Sequence, residues 1–220
     1  MGDSFGLENV LWFANNKEDA HEEPTIKRSR SHDYVSREVI NVRENVGLIE
    51  VANFSKHEFK GTDARKFLDH VMAGKLPKPG RISLSPMLSY RGKLCGDLTV
   101  ACFDENEFMV FGSGAAQEMH RRWFESHLDK FDVNYKNRSD EFHGISIAGP
   151  NSRKVLEKIV RDDVSNEKFK FRDSRRMFVG GVPAIINRIS FTGELGYEIY
   201  VAPHYQIKLY EELMEAGREF

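Results

Sequence analysis

Three short strand-like runs follow one another between residues 81 and 113, with only turn residues between them. The runs are ISLSPMLSY, LCGDLTVACF and FMVFGS, and the breaks fall at residues 91–92 and 104–106. Runs joined by such short turns pair as antiparallel hairpins. A further hairpin is predicted at the two glycines 180–181, between RRMFV and PAIINRIS. This arrangement restricts the chain to folds built mainly from antiparallel sheets.

Helical patterns lie between the strand-like runs. The clearest follows Thr62 and ends near Gly74, with apolar residues at i, i+3, i+4, i+7 and i+8: Ala64, Phe67, Leu68, Val71 and Met72. Other helices are predicted from Ser36 to Gly47 and over residues 115–128, 150–160 and 204–216, and other strands over 48–54, 142–148 and 195–203. Helices interspersed with hairpins predict an α+β fold, with antiparallel sheets and flanking helices.

The first 35 residues differ in composition from the rest of the chain. Residues 15–31 (NNKEDAHEEPTIKRSRS) carry almost no apolar side chains and mix both charge signs, which is typical of an exposed linker. The preceding run FGLENVLWF is rich in apolar and aromatic residues, so we expect another protein surface to pack against it. We therefore expect an N-terminal segment and charged linker over residues 1–35 and a folded domain over 36–220.

Charge and hydropathy exclude several classes of protein. The 32 Lys and Arg residues nearly balance 34 Asp and Glu residues, which gives no electrostatic case for binding nucleic acid or an anionic membrane. No run approaches the roughly 20 apolar residues that a membrane span needs, and the N-terminus does not resemble a signal peptide. The expectation is a soluble, non-secreted protein of the cytoplasm or an organelle matrix, without nucleic-acid or membrane partners.

The sequence contains two cysteines, Cys95 and Cys102, within one strand-like run. Strict alternation along a strand would place residues seven positions apart on opposite faces, so a disulfide between them is not expected. We therefore predict reduced thiols.

Common catalytic and metal-binding motifs are absent, including HExxH, paired CxxC, GxSxG, the P-loop and GxGxxG, and no metal site is expected. Two carboxylates remain of interest. In LCGDLTVACF, strand alternation puts Asp97 on one face with Cys95, Thr99 and Ala101, while Leu98 and Val100 point to the core. Burying a carboxylate is costly unless something satisfies it. One reading is structural: Asp97 accepts backbone N–H bonds in a turn.

The second carboxylate is Glu198, which lies in SFTGELGYEIY. Phe191 precedes a turn bracketed by Gly193 and Gly196, and Glu198 follows on the next strand among apolar neighbours. A purely structural reading places Glu198 at the rim of the sheet. The residues alone leave both readings open for each carboxylate.

A family resemblance favours a functional role for both carboxylates. RISFTGELGYEIYV resembles the motif SYTGELGWE(L/I)Y of the folate-binding part shared by glycine-cleavage T-proteins, which are aminomethyltransferases, and by dimethylglycine and sarcosine dehydrogenases. GLIEVANFSKHEFKGTDARKFLDHV, MLSYRGKLCGDLTV, GISIAGPNSRKVL and FGLENVLWFA agree with the same family in the same order. The last of these resembles the segment where the flavin part of the dehydrogenases passes into the folate part.

The resemblance implies tetrahydrofolate as the cofactor. It implies that Asp97 lies beside the reactive N5/N10 region as the catalytic carboxylate, and that Glu198 accepts hydrogen bonds from the pterin edge. Phe191 matches a position that is Tyr in many relatives; Phe keeps the stacking surface and loses the hydroxyl. The remaining cofactor-binding residues expected from the resemblance are Met87, Leu98 and Thr99.

The implied reaction is one-carbon transfer to tetrahydrofolate, forming 5,10-methylenetetrahydrofolate. The donor would be a small amine or a lipoyl carrier, and a flavin-dependent dehydrogenase domain is the expected partner. The family's folate domain usually continues into a further helical and β-barrel region, so this sequence is expected to be a C-terminally shortened member. The alternatives are a non-catalytic folate-binding module of a larger flavin dehydrogenase and a tetrahydrofolate-dependent demethylase.

Overall fold

The computed structural model describes residues 2–4 and 6–220 and places most of the described strands in two five-stranded antiparallel sheets. The strands are β1 (Gly2–Ser4), β2 (Leu7–Asn9), β3 (Gly47–Glu50), β4 (Ser55–Lys60), β5 (Arg81–Leu88), β6 (Leu94–Asp104), β7 (Glu107–Gly112), β8 (Asn134–Asn137), β9 (His143–Ala148), β10 (Ser174–Val179), β11 (Val182–Asn187) and β12 (Gly196–Val201). The helices are α1 (Ser31–Glu44), α2 (Ala64–Val71), α3 (Gln117–Glu125), α4 (Ser152–Ile159) and α5 (Gln206–Ala216). Strands β1 and β2 form a separate hairpin.

Sheet 1 has the strand order β5-β6-β7-β4-β8, and sheet 2 has the order β10-β11-β12-β9-β3. One core cluster joins the facing sides of the two sheets, where Ala101 and Met109 of sheet 1 pack with Ile185 and Tyr200 of sheet 2. Helices α2 and α3 cover the outer side of sheet 1, and helices α4 and α5 cover the outer side of sheet 2. The order of layers is therefore helix, sheet, sheet, helix, which confirms the predicted α+β class with antiparallel sheets and flanking helices.

The side chains of β6 alternate as the sequence predicts. Leu98 and Val100 are fully buried in the core under the helices of sheet 1, whereas Ala101 belongs to the core between the sheets. The alternation fails at Cys95, because the pairing of β5 with β6 shifts register between Met87 and Leu88. Such an irregularity moves the residues beyond it to the other face.

This register shift corrects the expected placement of the cysteines. Cys95 packs against the same core under the helices as Cys102, and not on the face of Asp97. Both thiols are nevertheless free, as predicted. Burial raises the pKa of the Cys102 thiol to about 11, which keeps this group protonated at neutral pH.

Strands β4 and β8 were not predicted from the sequence, because their residues are mostly polar. In β4, Lys56, His57 and Glu58 are all buried. His57 Nδ1 lies 2.9 Å from the Tyr135 hydroxyl, and Arg138 donates to Glu58 Oε1 at 3.1 Å. Since these partners follow β4 by about 80 residues, no local hydrophobic pattern indicates the strand.

Helix α1 begins at Ser31, five residues before the expected start at Ser36, and none of its residues is buried. Its first turns contact the N-terminal segment through Tyr34, whose ring lies 5.1 Å from that of Trp12. The apolar run that precedes the linker remains largely open: Val10, Leu11 and Phe13 are exposed. Phe5 lies outside the described residues.

Helix α3 buries a histidine in the core. Its buried residues are His120 and Phe124, whereas Met119 is half exposed. His120 Nε2 lies 3.3 Å from the Cys95 carbonyl oxygen, which gives the ring a polar partner inside the core. Burial lowers the pKa of His120, as it lowers that of the neighbouring His57 to about 3.

Within residues 2–4 and 6–220, the helices are too short and too polar for any of them to cross a membrane.

Candidate functional site

A cavity of about 920 Å³ opens between the two sheets. Sheet 1 and the turn after β7 contribute Ile82, Leu84, Asp97, Thr99, Phe111, Gly112, Ser113, Gly114 and Ala115 to its wall. Sheet 2 and its loops contribute Phe171, Arg172, Ile189, Ser190, Phe191 and Glu198, and Asn9, Asn53 and Phe54 complete the lining. The volume lies at the upper end of the range that small-molecule sites occupy in proteins.

Glu198 is the most deeply placed charged residue of this wall. It lies in β12 between the cross-strand neighbours Asn187 and Ser146, and only 6% of its surface is exposed. Among the described residues no Lys, Arg or His forms an ion pair with it. Burial raises the pKa of the Glu198 carboxyl to about 7, against the opposing effect of a hydrogen bond from Tyr200. Glu198 is therefore a buried, unpaired acceptor and not a rim residue.

Tyr200 fixes the position of this carboxylate. Its hydroxyl donates to Glu198 Oε2 at 2.9 Å, and its ring stacks on Phe111 with 4.6 Å between centroids. The Lys56 ammonium lies 5.7 Å from the Tyr200 ring centroid and donates to the Ala52 carbonyl oxygen at 2.6 Å. Burial lowers the pKa of Lys56 to about 8. The orientation of Glu198 thus depends on a residue that is itself held by both sheets.

Asp97 reaches the same cavity from the opposite sheet. It lies within β6, where it pairs with Pro86 of β5, and is not in a turn. The side chain is exposed, although strand alternation suggested a covered site. The reason is that Asp97 lines the cavity between the sheets and does not pack in the core. Thr99, two residues further along the strand, lines the wall on the same face.

Phe191 lies in the loop that joins β11 to β12. The loop turns at Gly193, whose φ of +87° is a conformation that favours glycine, and Ser190 Oγ donates to the Glu194 carbonyl oxygen at 2.5 Å. The Phe191 side chain lines the cavity and is 87% exposed. Its ring is therefore available as an apolar surface for a bound molecule.

The structure places two of the expected cofactor-binding residues elsewhere. Met87 and Leu98 are completely buried in the core under α2 and α3, and neither lines the cavity. Leu98 packs so closely on β7 that a Cβ at Gly112 would lie 2.6 Å from its Cδ2 atom. Asp97, Thr99, Phe191 and Glu198 are brought together at the cavity, whereas Met87 and Leu98 support the strands behind it.

Several residues that line or support the wall were not identified from the sequence. Tyr200 could have been found, because it lies two positions after Glu198 on the same face of a strand. Gly114 approaches Asn53 so closely that a Cβ would lie 2.0 Å from the Asn53 carbonyl oxygen. This contact and the position of Arg172 depend on tertiary structure, and no local sequence signal marks them.

The whole chain matches one known protein family. Residues 1–220 match the family described as the GCVT N-terminal domain. Mouse mitochondrial dimethylglycine dehydrogenase is 36% identical over 222 residues, which cover 100% of this chain and 25% of that protein. The aminomethyltransferase of Thermoanaerobacter pseudethanolicus is 29% identical over 182 residues, which cover 81% of this chain and 49% of that protein.

The same fold is found in a solved structure. The glycine cleavage system aminomethyltransferase T of Bartonella henselae superimposes with a TM-score of 0.72 at 20% identity, covering 81% of this chain and 48% of that one. The chain thus spans about a quarter of the length of the dimethylglycine dehydrogenase and about half that of the aminomethyltransferases. These relatives are enzymes, and the resemblance found in the sequence is confirmed. The chain belongs to the GCVT N-terminal domain family.

Proposed function

We propose that this chain binds tetrahydrofolate in the cavity between the sheets and takes part in one-carbon transfer to it. The observation that carries the proposal is the meeting of two carboxylates from different sheets, Asp97 and Glu198, in one cavity beside an exposed aromatic ring. When bound, tetrahydrofolate supplies the nucleophilic nitrogens that accept the one-carbon unit and yield 5,10-methylenetetrahydrofolate. Residues 36–220 are proposed as the folate-binding unit.

The wall fits a pterin. A pterin edge carries adjacent N–H donors at its 2-amino group and N3, and one carboxylate can accept both. Glu198 is buried without a cationic partner, so hydrogen bonds from a ligand would offset the cost of its ionised form. Phe111 and Ile189 provide apolar surface nearby, and Phe191 offers a face for packing.

Asp97 is proposed as the catalytic carboxylate. As an exposed side chain it can reach solvent and ligand alike. A fixed negative charge beside the reacting nitrogens would favour positive charge there, and the same carboxylate could accept a proton. Glu198 would orient the ligand and Asp97 would act on it, with the two roles divided between the two sheets.

The donor is proposed to be a small amine-derived one-carbon unit or an aminomethyl group on a lipoyl carrier. These sources are proposed because two relatives are named dimethylglycine dehydrogenase and aminomethyltransferase. A flavin-dependent dehydrogenase is the proposed partner in the first case.

The products of the reaction test this proposal. The chain is incubated with reduced tetrahydrofolate and either formaldehyde or an aminomethylated lipoyl carrier, and the folates are separated by mass spectrometry. We expect 5,10-methylenetetrahydrofolate to form faster than in the protein-free control. In a parallel incubation with a sulfonium methyl donor, accumulation of 5-methyltetrahydrofolate would instead identify a demethylase. Bound folate without any product above the control in either incubation would identify a non-catalytic binding module.

A further inference from the structure

Arg172 is the single cationic residue in the described wall of the cavity, opposite in charge to Asp97 and Glu198. Its side chain is exposed, and within the described part of the chain no hydrogen bond or ion pair engages its guanidinium group. The carboxylate of the next residue, Asp173, does not neutralise the Arg172 guanidinium, because Asp173 is buried and paired with Arg81 and Arg175. An unengaged guanidinium therefore faces the space that the two carboxylates also face.

The backbone holds Arg172 where the two sheets meet. Ile82 of β5 donates its N–H to the Arg172 carbonyl oxygen at 2.8 Å, and the Arg172 N–H donates to the Arg188 carbonyl oxygen at 3.0 Å. Ile82 belongs to sheet 1, and Arg188 directly follows β11 of sheet 2. The side chain is thus attached at a point fixed by both sheets, although it lies in a loop.

This position is also conformationally demanding. Arg172 has a φ of +66°, and no other described residue apart from glycines has a positive φ. A side chain disfavours this conformation, which glycine adopts freely, and such residues concentrate where a ligand is bound. Phe171, the preceding residue, is 65% exposed and lines the cavity beside Arg172.

We propose that Arg172 binds a carboxylate of the glutamyl tail of a folate whose pterin edge is held by Glu198. This inference rests on the proposed function. A guanidinium pairs with a carboxylate through two parallel N–H bonds, which the two acidic residues of the wall could not provide. The cavity would then hold an acceptor for the pterin and a donor for the tail, and Phe171 would offer an aromatic surface next to the tail.

Calorimetric titration with two ligands tests the inference. One ligand is tetrahydrofolate, and the other is a tetrahydropterin that lacks the p-aminobenzoylglutamate tail. We expect Arg172→Ala to weaken tetrahydrofolate binding by about tenfold, the lower end for a charge-assisted bond at an exposed site, and to leave tetrahydropterin binding unchanged. Glu198→Gln should weaken the binding of both ligands. The control is Arg161→Ala, because Arg161 is an exposed arginine outside the cavity, and this change should affect neither.

A second variant guards against misfolding. Arg172→Gly removes the same side chain while allowing the positive φ, so it should lose the same affinity without a lower melting temperature. Equal tetrahydrofolate affinity in the wild type and both Arg172 variants would overturn the inference. It would also be overturned if the Arg172 variants lost as much affinity for the tetrahydropterin as for tetrahydrofolate. If the wild type binds the tetrahydropterin and Glu198→Gln weakens that binding, the proposed function survives such a result. If the wild type binds neither ligand, the proposed function fails and the inference fails with it.

Discussion

Replacing Asp97 with Asn is expected to lower the rate of 5,10-methylenetetrahydrofolate formation by about 100-fold and to change tetrahydrofolate affinity by about threefold or less. The substitution keeps the size and shape of the side chain and removes its negative charge. A charge that acts on the developing positive charge of the reaction contributes to turnover more than to binding. The rate is measured by mass spectrometry and the affinity by calorimetry.

The matched control for this change is Asp104→Asn. Asp104 lies at the end of the same strand, is exposed, and does not line the cavity. We expect this variant to have the turnover and affinity of the wild type. Wild-type turnover in Asp97→Asn would remove Asp97 from the catalytic role, whereas an equal loss of affinity and rate would make it a binding residue.

Replacing Glu198 with Gln is expected to weaken tetrahydrofolate binding at pH 8 by about 10- to 100-fold. The loss corresponds to a charge-assisted hydrogen bond of about 1.5–3 kcal/mol. A Gln side chain keeps one acceptor oxygen for the Tyr200 hydroxyl but presents an NH₂ group to the pterin donors. The comparison is made by calorimetric titration of both proteins at the same pH.

The same substitution should stabilise the free protein. Folding raises the pKa of Glu198 from its usual 4.5 to about 7. The folded state favours the protonated carboxyl. Its contribution to the free energy of unfolding is therefore full below pH 4.5 and is lost as the pH rises through 7. At pH 8 the ionised group costs on the order of 3 kcal/mol, which a neutral Gln avoids. Urea unfolding at pH 8 should therefore give a higher free energy of unfolding for Glu198→Gln.

Glu58 provides the contrasting control. It is buried like Glu198, but Lys60 and Arg138 lie 3.0 and 3.1 Å from its Oε1 atom. Glu58→Gln should lower the free energy of unfolding, because it removes the buried negative charge that both cations contact, although Lys60 also pairs with Glu107 and Arg138 with Glu141. It should leave folate affinity unchanged. Loss of folate binding in Glu58→Gln, or its retention in Glu198→Gln, would contradict the assignment of the pterin site.

Local patterns were sufficient to predict much of the fold. The apolar spacing of α2 and the alternation of Leu98 and Val100 are properties of single elements, and the structure follows both. Strand β4 was missed because Lys56, His57 and Glu58 are buried, and their partners are remote in sequence. Periodicity alone cannot reveal a strand whose buried side chains are polar and are satisfied from another part of the chain.

The candidate site, like the fold, was predicted only in part from the sequence. Asp97 and Glu198 were selected through family motifs, and the structure brings them to one cavity. Met87 and Leu98 were selected in the same way, but the alternation of side chains along β5 and β6 puts both in the core. Arg172 was missed because its place depends on backbone bonds to both sheets. Motifs identify reactive residues, while the packing of the sheets decides which of them share a space.

Calorimetric titration of this chain with reduced tetrahydrofolate at pH 6 and pH 8 tests the central claim most directly. If the ionised form of Glu198 holds the pterin, binding should be saturable with one site per chain and about tenfold tighter at pH 8, since the pKa of this group is about 7. Glu198→Gln should show no such dependence. Absence of saturable binding at millimolar ligand, or equal affinity at the two pH values, would contradict the claim that the cavity between the sheets is a folate site built on Glu198.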